Sequence, residues 1–137
     1  MILLLDTNVV LDILTKRSGY EDSRAVLRHC ETGCVEGFVS AVTVTDVMYI
    51  LRKHIDQGTV RDSVQTLLSI VGVAGVLKGD IAAAFISGMK DFEDAVQASC
   101  AARTKADYIV TRNVKDFEHS PIPAVSPDDM LELLQTV

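Results

Sequence analysis

Ile2-Leu3-Leu4-Leu5-Asp6-Thr7-Asn8 opens the chain with four large apolar residues that stop at a carboxylate. An apolar run of this length, bounded by polar residues, reads as a strand buried on both faces, as in a parallel sheet. Beyond it the period changes: Val9, Val10, Leu11, Ile13 and Leu14 are spaced for a helix over residues 7–14. Strand, acid and helix in that order make a βα junction, and open α/β sheets bind ligands outside the carboxyl ends of their strands. A carboxylate there is costly to desolvate unless it is paired or metal-bound. Asp6 equally suits the N-cap of the helix beginning at Thr7. Taken alone, the residue leaves both roles open.

The same alternation recurs along the chain. Residues 21–31 read as a helix stopped at Gly33, residues 35–39 as a strand, and Ser40 as the N-cap of a helix carrying Val44, Val47, Met48, Leu51 and Ile55. Gly58 marks a reset before a helix over 60–71, then come a brief strand at 73–77 and a helix over 80–86. A helix from Asp91 to about Lys105 has Phe92, Ala95, Val96, Ser99 and Cys100 on one side, and residues 108–111 form a strand. Ser126-Pro127-Asp128-Asp129 is a helix start: a capping hydroxyl, proline at the first helical position, then acids against the dipole. Strands alternating with helices give an α/β fold, expected as a three-layer α/β/α sandwich around a central, mostly parallel sheet of four to five strands. One domain spanning residues 1–137 is expected, long enough to bury a sizeable core.

No stretch approaches the ~18 uninterrupted apolar residues of a membrane span. The apolar opening lacks a basic lead and a small-residue cleavage site, so it reads as a strand of a cytoplasmic protein. Cys30 and Cys34, with His29 adjacent, suggest zinc, but a structural site wants four ligands and only the isolated Cys100 remains. Buried free thiols in a reducing compartment are the better reading. A formal charge of −6 weighs against a nucleic-acid partner. Bound metal would neutralise several acids, however, and local charge steers a polyanion. Arg24 and Arg28, Arg52-Lys53-His54, and Arg112 with Lys115 supply local basic groups.

Four acidic segments sit where apolar runs meet helices: Asp6, Asp46, Asp91-Phe92-Glu93-Asp94, and Thr111-Arg112-Asn113 with Asp116. Carboxylates that converge without a cation raise one another's pKa, so the set reads as a seat for a hard divalent metal and as hydrolysis of phosphate esters. Asn8 could orient Asp6, and the Thr111 hydroxyl could fix a neighbouring carboxylate. Asp91 suits an N-cap, which leaves Asp94 in the first turn to point at the strand ends. Asp46 lies outside its helix's apolar stripe, as a merely solvated acid also would. Asp12 and Glu93 read as surface residues, and Phe117 as a core anchor. None of His29, His54 and His119 falls in an acidic segment.

In order and spacing these segments resemble the PIN-domain ribonucleases, small α/β nucleases that include VapC-type toxins. The resemblance runs through Leu5-Asp6-Thr7-Asn8, Val39-Ser40 with Thr43 and Asp46, Asp91-Phe92-Glu93-Asp94-Ala95 with Ala98 and Ala101, and Ile109 to Asn113 with Lys115-Asp116-Phe117. It implies a metal-dependent endoribonuclease, the toxin of a toxin–antitoxin pair. Asp6, Asp46, Asp94 and Asp116 would hold Mg²⁺ or Mn²⁺, and Asn8 and Thr111 would make supporting polar contacts. Independently of the resemblance, Arg112 or Lys115, beside the last acidic segment, could hold flanking phosphates of the RNA. An antitoxin partner and a homodimer are implied as well.

Two residues depart from the pattern. The second acid is most often Glu, and Asp46 is a methylene shorter, within reach of metal through water. Asn113 stands where many members have an acid. A catalytically weak or inactive interaction protein on the same fold is the alternative. A phosphoacceptor receiver domain would want a second acid beside Asp6, and a metal phosphatase an Asp-x-Asp motif; both are lacking.

Overall fold

The first strand is the middle of the sheet. The computed structural model describes residues 1–135, and in it five strands lie in the order β3-β2-β1-β4-β5. These are β1 (Ile2–Leu5), β2 (Glu36–Ser40), β3 (Gly72–Ala74), β4 (Tyr108–Val110) and β5 (Ala124–Val125). Every pairing is parallel. The helices are α1 (Thr7–Thr15), α2 (Tyr20–Glu31), α3 (Ala41–Leu51), α4 (Gln57–Leu68), α5 (Lys78–Ile86), α6 (Phe92–Arg103) and α7 (Pro127–Gln135), with a 3₁₀ turn at Val114–Phe117.

Why β1 takes the centre follows from its side chains. Leu3, Leu4 and Leu5 are all fully buried, which only a strand covered on both faces allows. Successive side chains point to opposite faces. Leu3 and Leu5 therefore join one core with Val9, Val26, Val39, Val47, Val64 and Met130. Leu4 joins a second with Phe38, Ala98, Ala101, Ile109 and Phe117. Two apolar cores on either side of one sheet make the α/β/α sandwich that the sequence implies.

Chain order reverses beside β1, because β2 and β3 extend the sheet to one side and β4 and β5 to the other. The crevice between the carboxyl ends of β1 and β4 is thus the topological switch point, where such sheets bind ligands. Asp6 ends β1 there, and Thr111 follows β4.

Several local expectations change in detail. Ser40 does cap α3, accepting from the Thr43 amide at 3.3 Å, and Ser126 caps α7, accepting from Asp129 at 3.3 Å. Gly58 breaks nothing: it lies inside α4, which Asp56 caps through the Thr59 amide. The edge strand β5 has no apolar period of its own. It lies beside Pro121 and Pro123, and its register comes from Ile109 and Thr111 amides donating to the Pro123 and Val125 carbonyls, both at 2.9 Å. Asp80 is buried at the foot of α5, where it accepts from Arg103 at 3.1 Å and from the Leu77 amide at 2.9 Å. All three cysteines are free, but only Cys30 and Cys100 are buried; Cys34 is exposed. Among the described residues no helix is long and apolar enough to cross a membrane.

Gly37, the second residue of β2, lies against α2. A Cβ there would stand 2.6 Å from Cys30 Sγ and 3.2 Å from Val71 Cγ1. Gly37→Ala is expected to cost about 1–3 kcal/mol by overpacking. Adding Cys30→Ala removes the nearest obstruction, so in urea unfolding the double variant should lose less than the sum of the two single losses. Strict additivity would show that the two residues do not press on one another.

Candidate active site

Asp6 is 5% exposed and accepts four hydrogen bonds. Its Oδ1 takes the Thr7 amide at 2.9 Å and Gln97 Nε2 at 3.2 Å. Its Oδ2 takes the Thr111 hydroxyl at 2.9 Å and Asn8 Nδ2 at 3.1 Å. The two roles left open by sequence are therefore one: Asp6 caps α1 and is also the buried acid at the strand end. Burial raises its pKa, the Asp91 charge adds to this, and the bonds from Thr111, Thr7 and Gln97 pull the other way. Asn8 acts as expected and does more. Its Nδ2 also reaches Thr111 Oγ1 at 3.3 Å, and its Oδ1 accepts the Arg112 amide at 3.2 Å, tying the start of α1 to the loop after β4. Asn113 joins through its backbone amide, which donates to Thr111 Oγ1 at 3.1 Å.

The other acids arrive on helices. Asp91 caps α6, accepting the Asp94 amide at 2.9 Å, as its spacing implies. Asp94 is half-buried, and its carboxyl is pushed up to about 7, first by burial and then by the charges of Asp6, Asp91 and Asp116. Three acids from β1, the α6 cap and the 3₁₀ turn thus act on Asp94 electrostatically. Phe117, one residue past the exposed Asp116, is buried and anchors that turn.

Glu93 is exposed, as the sequence implies. Its pairing was not foreseen: its carboxyl shares a hydrogen bond with Asp46 of α3 and is pushed up to about 8. That bond is the largest cause, followed by burial and the charges of Asp46, Asp91 and Asp94. Two carboxyls meet this way when one keeps its proton. The shorter Asp46 is thus paired with an acid in the first turn of α6.

Asp12 is a correction. It is 1% exposed, and Arg112 Nη1 donates to its Oδ1 at 2.9 Å. The guanidinium offered above for substrate phosphate therefore neutralises a buried acid. Lys115 remains exposed beside Asp116. Phe92, expected on the buried side of α6, is 43% exposed and packs on Phe85 with ring centroids 4.7 Å apart. The buried stripe contains Gln97 instead, which sequence did not single out. A polar residue between Val96 and Ala98 was the available signal.

Oxygen-only donors and two carboxyls raised by neighbouring acids are the chemistry of a hard-cation seat. Among the described residues, no three Asp, Glu, His or Cys side chains stand in ready ligand geometry. The donors fit an ion that keeps much of its water and takes one or two carboxylates directly, as Mg²⁺ does.

A PIN-domain family model matches residues 3–115. The chain belongs to the PIN-domain family. No curated protein matches its sequence. Among solved structures, this PIN chain is similar in fold to VapBC2 from Rickettsia felis bound to a promoter DNA fragment, at 17% identity and a TM-score of 0.75, over 92% of this chain and 98% of that one. A toxin–antitoxin complex from Klebsiella pneumoniae is similar at 21% identity and a TM-score of 0.70, over 91% and 97%. So is VapC20 of Mycobacterium tuberculosis, described as a sarcin–ricin loop cleaving toxin, at 11% identity and a TM-score of 0.64, over 86% and 92%.

The raised carboxyls set a pH dependence. Asp94 moves from 3.8 to about 7 and Glu93 from 4.5 to about 8, so between those limits the folded chain binds more protons than the unfolded one. Stability must then fall as pH rises through that window. In EDTA, Tm should be lower at pH 8.5 than at pH 5.5. Asp94→Asn should raise Tm at the higher pH and flatten the slope. A metal-free Tm that climbs steadily toward pH 8.5 would contradict the crowding of these acids.

Proposed function

We propose that this chain is a Mg²⁺- or Mn²⁺-dependent endoribonuclease and the toxin of a toxin–antitoxin pair. The observation that carries the reading is the electrostatic coupling of Asp94 to Asp6, Asp91 and Asp116 at the sheet's switch point. Asp6, Asp94 and Asp116 would hold the metal, one or two of them directly and the rest, with Asp46, through water. The metal would supply Lewis acidity and a bound water of lowered pKa for attack on the phosphodiester. Thr111, Asn8 and Asn113 would keep Asp6 and the β4 loop in register, and Asp91 would hold the α6 end that presents Asp94. Lys115 remains the cation available to a flanking phosphate.

The partners follow from surfaces. A groove of about 720 Å³ between α1, α2 and α4 combines Ile13, Leu14 and Leu67 with Arg24 and Arg28. It suits an antitoxin segment that is apolar with acidic residues. Leu77, Ile81, Phe85, Ile86 and Phe92 leave large apolar side chains exposed around α5, a face that a second copy would cover in a homodimer. Free thiols suit a reducing cytoplasm, with residues 1–137 acting as one domain.

The test is cleavage of total RNA with Mg²⁺, Mn²⁺ or EDTA. Wild type should cut only with metal. Asp94→Asn and Asp6→Asn, checked for folding, should each lose more than about 100-fold, beyond what loss of a metal's outer-shell partner costs. Unchanged cleavage in either variant, or cleavage in EDTA, would refute the metal mechanism. A folded wild type that neither cuts nor binds Mn²⁺ at millimolar concentration would favour the non-catalytic alternative.

A further inference from the structure

Gln97 is 1% exposed in the apolar stripe of α6, between Val96 and Ala98. Its Oε1 is buried and, among the described residues, has no hydrogen-bond partner. An orphaned buried acceptor is destabilising, and Met or Leu would fill the space without it. The compensation lies at the other end of the amide. Nε2 donates to Thr43 Oγ1 at 2.8 Å, to Asp6 Oδ1 at 3.2 Å and to Thr7 Oγ1 at 3.4 Å, while the two threonine hydroxyls bond each other at 2.9 Å. The reverse amide orientation would set Oε1 against a carboxylate oxygen, so the nitrogen must face Asp6 and the oxygen must be the one left over.

We infer that Gln97 is a positioning residue for the site: its amide locks the Asp6 carboxylate and holds together three of the elements that carry the acids. Thr7 and Asp6 belong to the β1–α1 junction, Thr43 to α3 one turn before Asp46, and Gln97 to α6 one turn after Glu93 and Asp94. Residues three or four apart on a helix share a face. The one amide therefore lies beneath all three acidic positions. Side chains that bind a reacting group must be held to about 0.5 Å, and a buried, rotamer-locked donor does this better than a solvated one. It also divides the labour at Asp6. Oδ1 is held by Thr7 and the buried Gln97, whereas Oδ2 is held partly by half-buried Asn8, which has Thr111 as a second acceptor.

The inference rests on the nuclease reading, and the experiment separates the two. Wild type, Gln97→Met, Thr43→Val and Thr43→Ser are compared as full chains by urea unfolding, Mn²⁺ calorimetry and RNA cleavage. Gln97→Met should unfold at nearly the wild-type urea concentration, because the donor lost to Asp6 is offset by removal of the orphaned oxygen. Its Mn²⁺ affinity and kcat should each fall about 10–100-fold with KM for RNA unchanged. Thr43→Val should move the same way, and Thr43→Ser, which keeps the hydroxyl, should restore both. Should Gln97→Met fail to fold, the Val and Ser variants at Thr43 decide the matter alone. Wild-type kcat and Mn²⁺ affinity in Gln97→Met or Thr43→Val would overturn the positioning role. So would losses that Thr43→Ser shares, or that merely track stability. A wild type that neither binds Mn²⁺ nor cleaves RNA would overturn the nuclease reading and this inference together.

Discussion

A buried carboxylate at the carboxyl end of the central strand organises this molecule. Asp6 follows three fully buried leucines, so it is carried into the interior by the same segment that forms the sheet's middle. Water cannot solvate it there, and its charge must be met by protein donors or by a cation. The surrounding structure supplies donors from α1, β4 and α6, and each brings its element into register with β1. The Thr111 hydroxyl holds the end of β4, the Thr7 amide starts α1, and Gln97 draws in α6. Desolvating one acid thus sets the relative positions of the elements that carry the others.

Stability and function oppose one another at this point. The Asp6 carboxylate is satisfied by neutral donors alone, whereas Asp94 and Glu93 sit among like charges and hold protons well above their ordinary range. Such crowding lowers the stability of the metal-free fold at neutral pH and is relieved by any cation that enters. Sites that perturb carboxyls in this way are candidates for chemistry. Elsewhere the chain meets buried acids with arginine. Asp12 has Arg112 and Asp80 has Arg103, and neither acid belongs to the crowded group. Among the described residues, arginine therefore meets the buried charge of Asp12 and Asp80, whereas Asp6 at the switch point has neutral donors.

Local grammar made the framework legible. The run at 2–5, the caps at Ser40, Asp91 and Ser126, and a threonine at the end of β4 are signals confined to a few residues. They were enough for the parallel sheet and for the roles of Asp6, Asn8 and Thr111 around one carboxylate. What escaped were pairings between distant residues. Asp12 looks like part of a polar helix face until Arg112, a hundred positions away, closes over it. Glu93 becomes part of the site only because α3 brings Asp46 alongside. The two-residue β5 has no period to read, and Phe92 is apolar yet exposed because it begins a helix at the open end of the sheet. Gln97 was visible as an amide among small apolar residues, but its meaning depends on three acceptors from two other elements.

The central claim is that converging carboxyls hold protons which a divalent cation displaces. Mn²⁺ calorimetry at pH 7, repeated in buffers of different ionisation enthalpy, counts those protons directly. With Asp94 raised to about 7 and Glu93 to about 8, binding should release on the order of one proton per ion. Mn²⁺ binding that releases none would mean that the acids are already ionised and independent, and the account would be wrong.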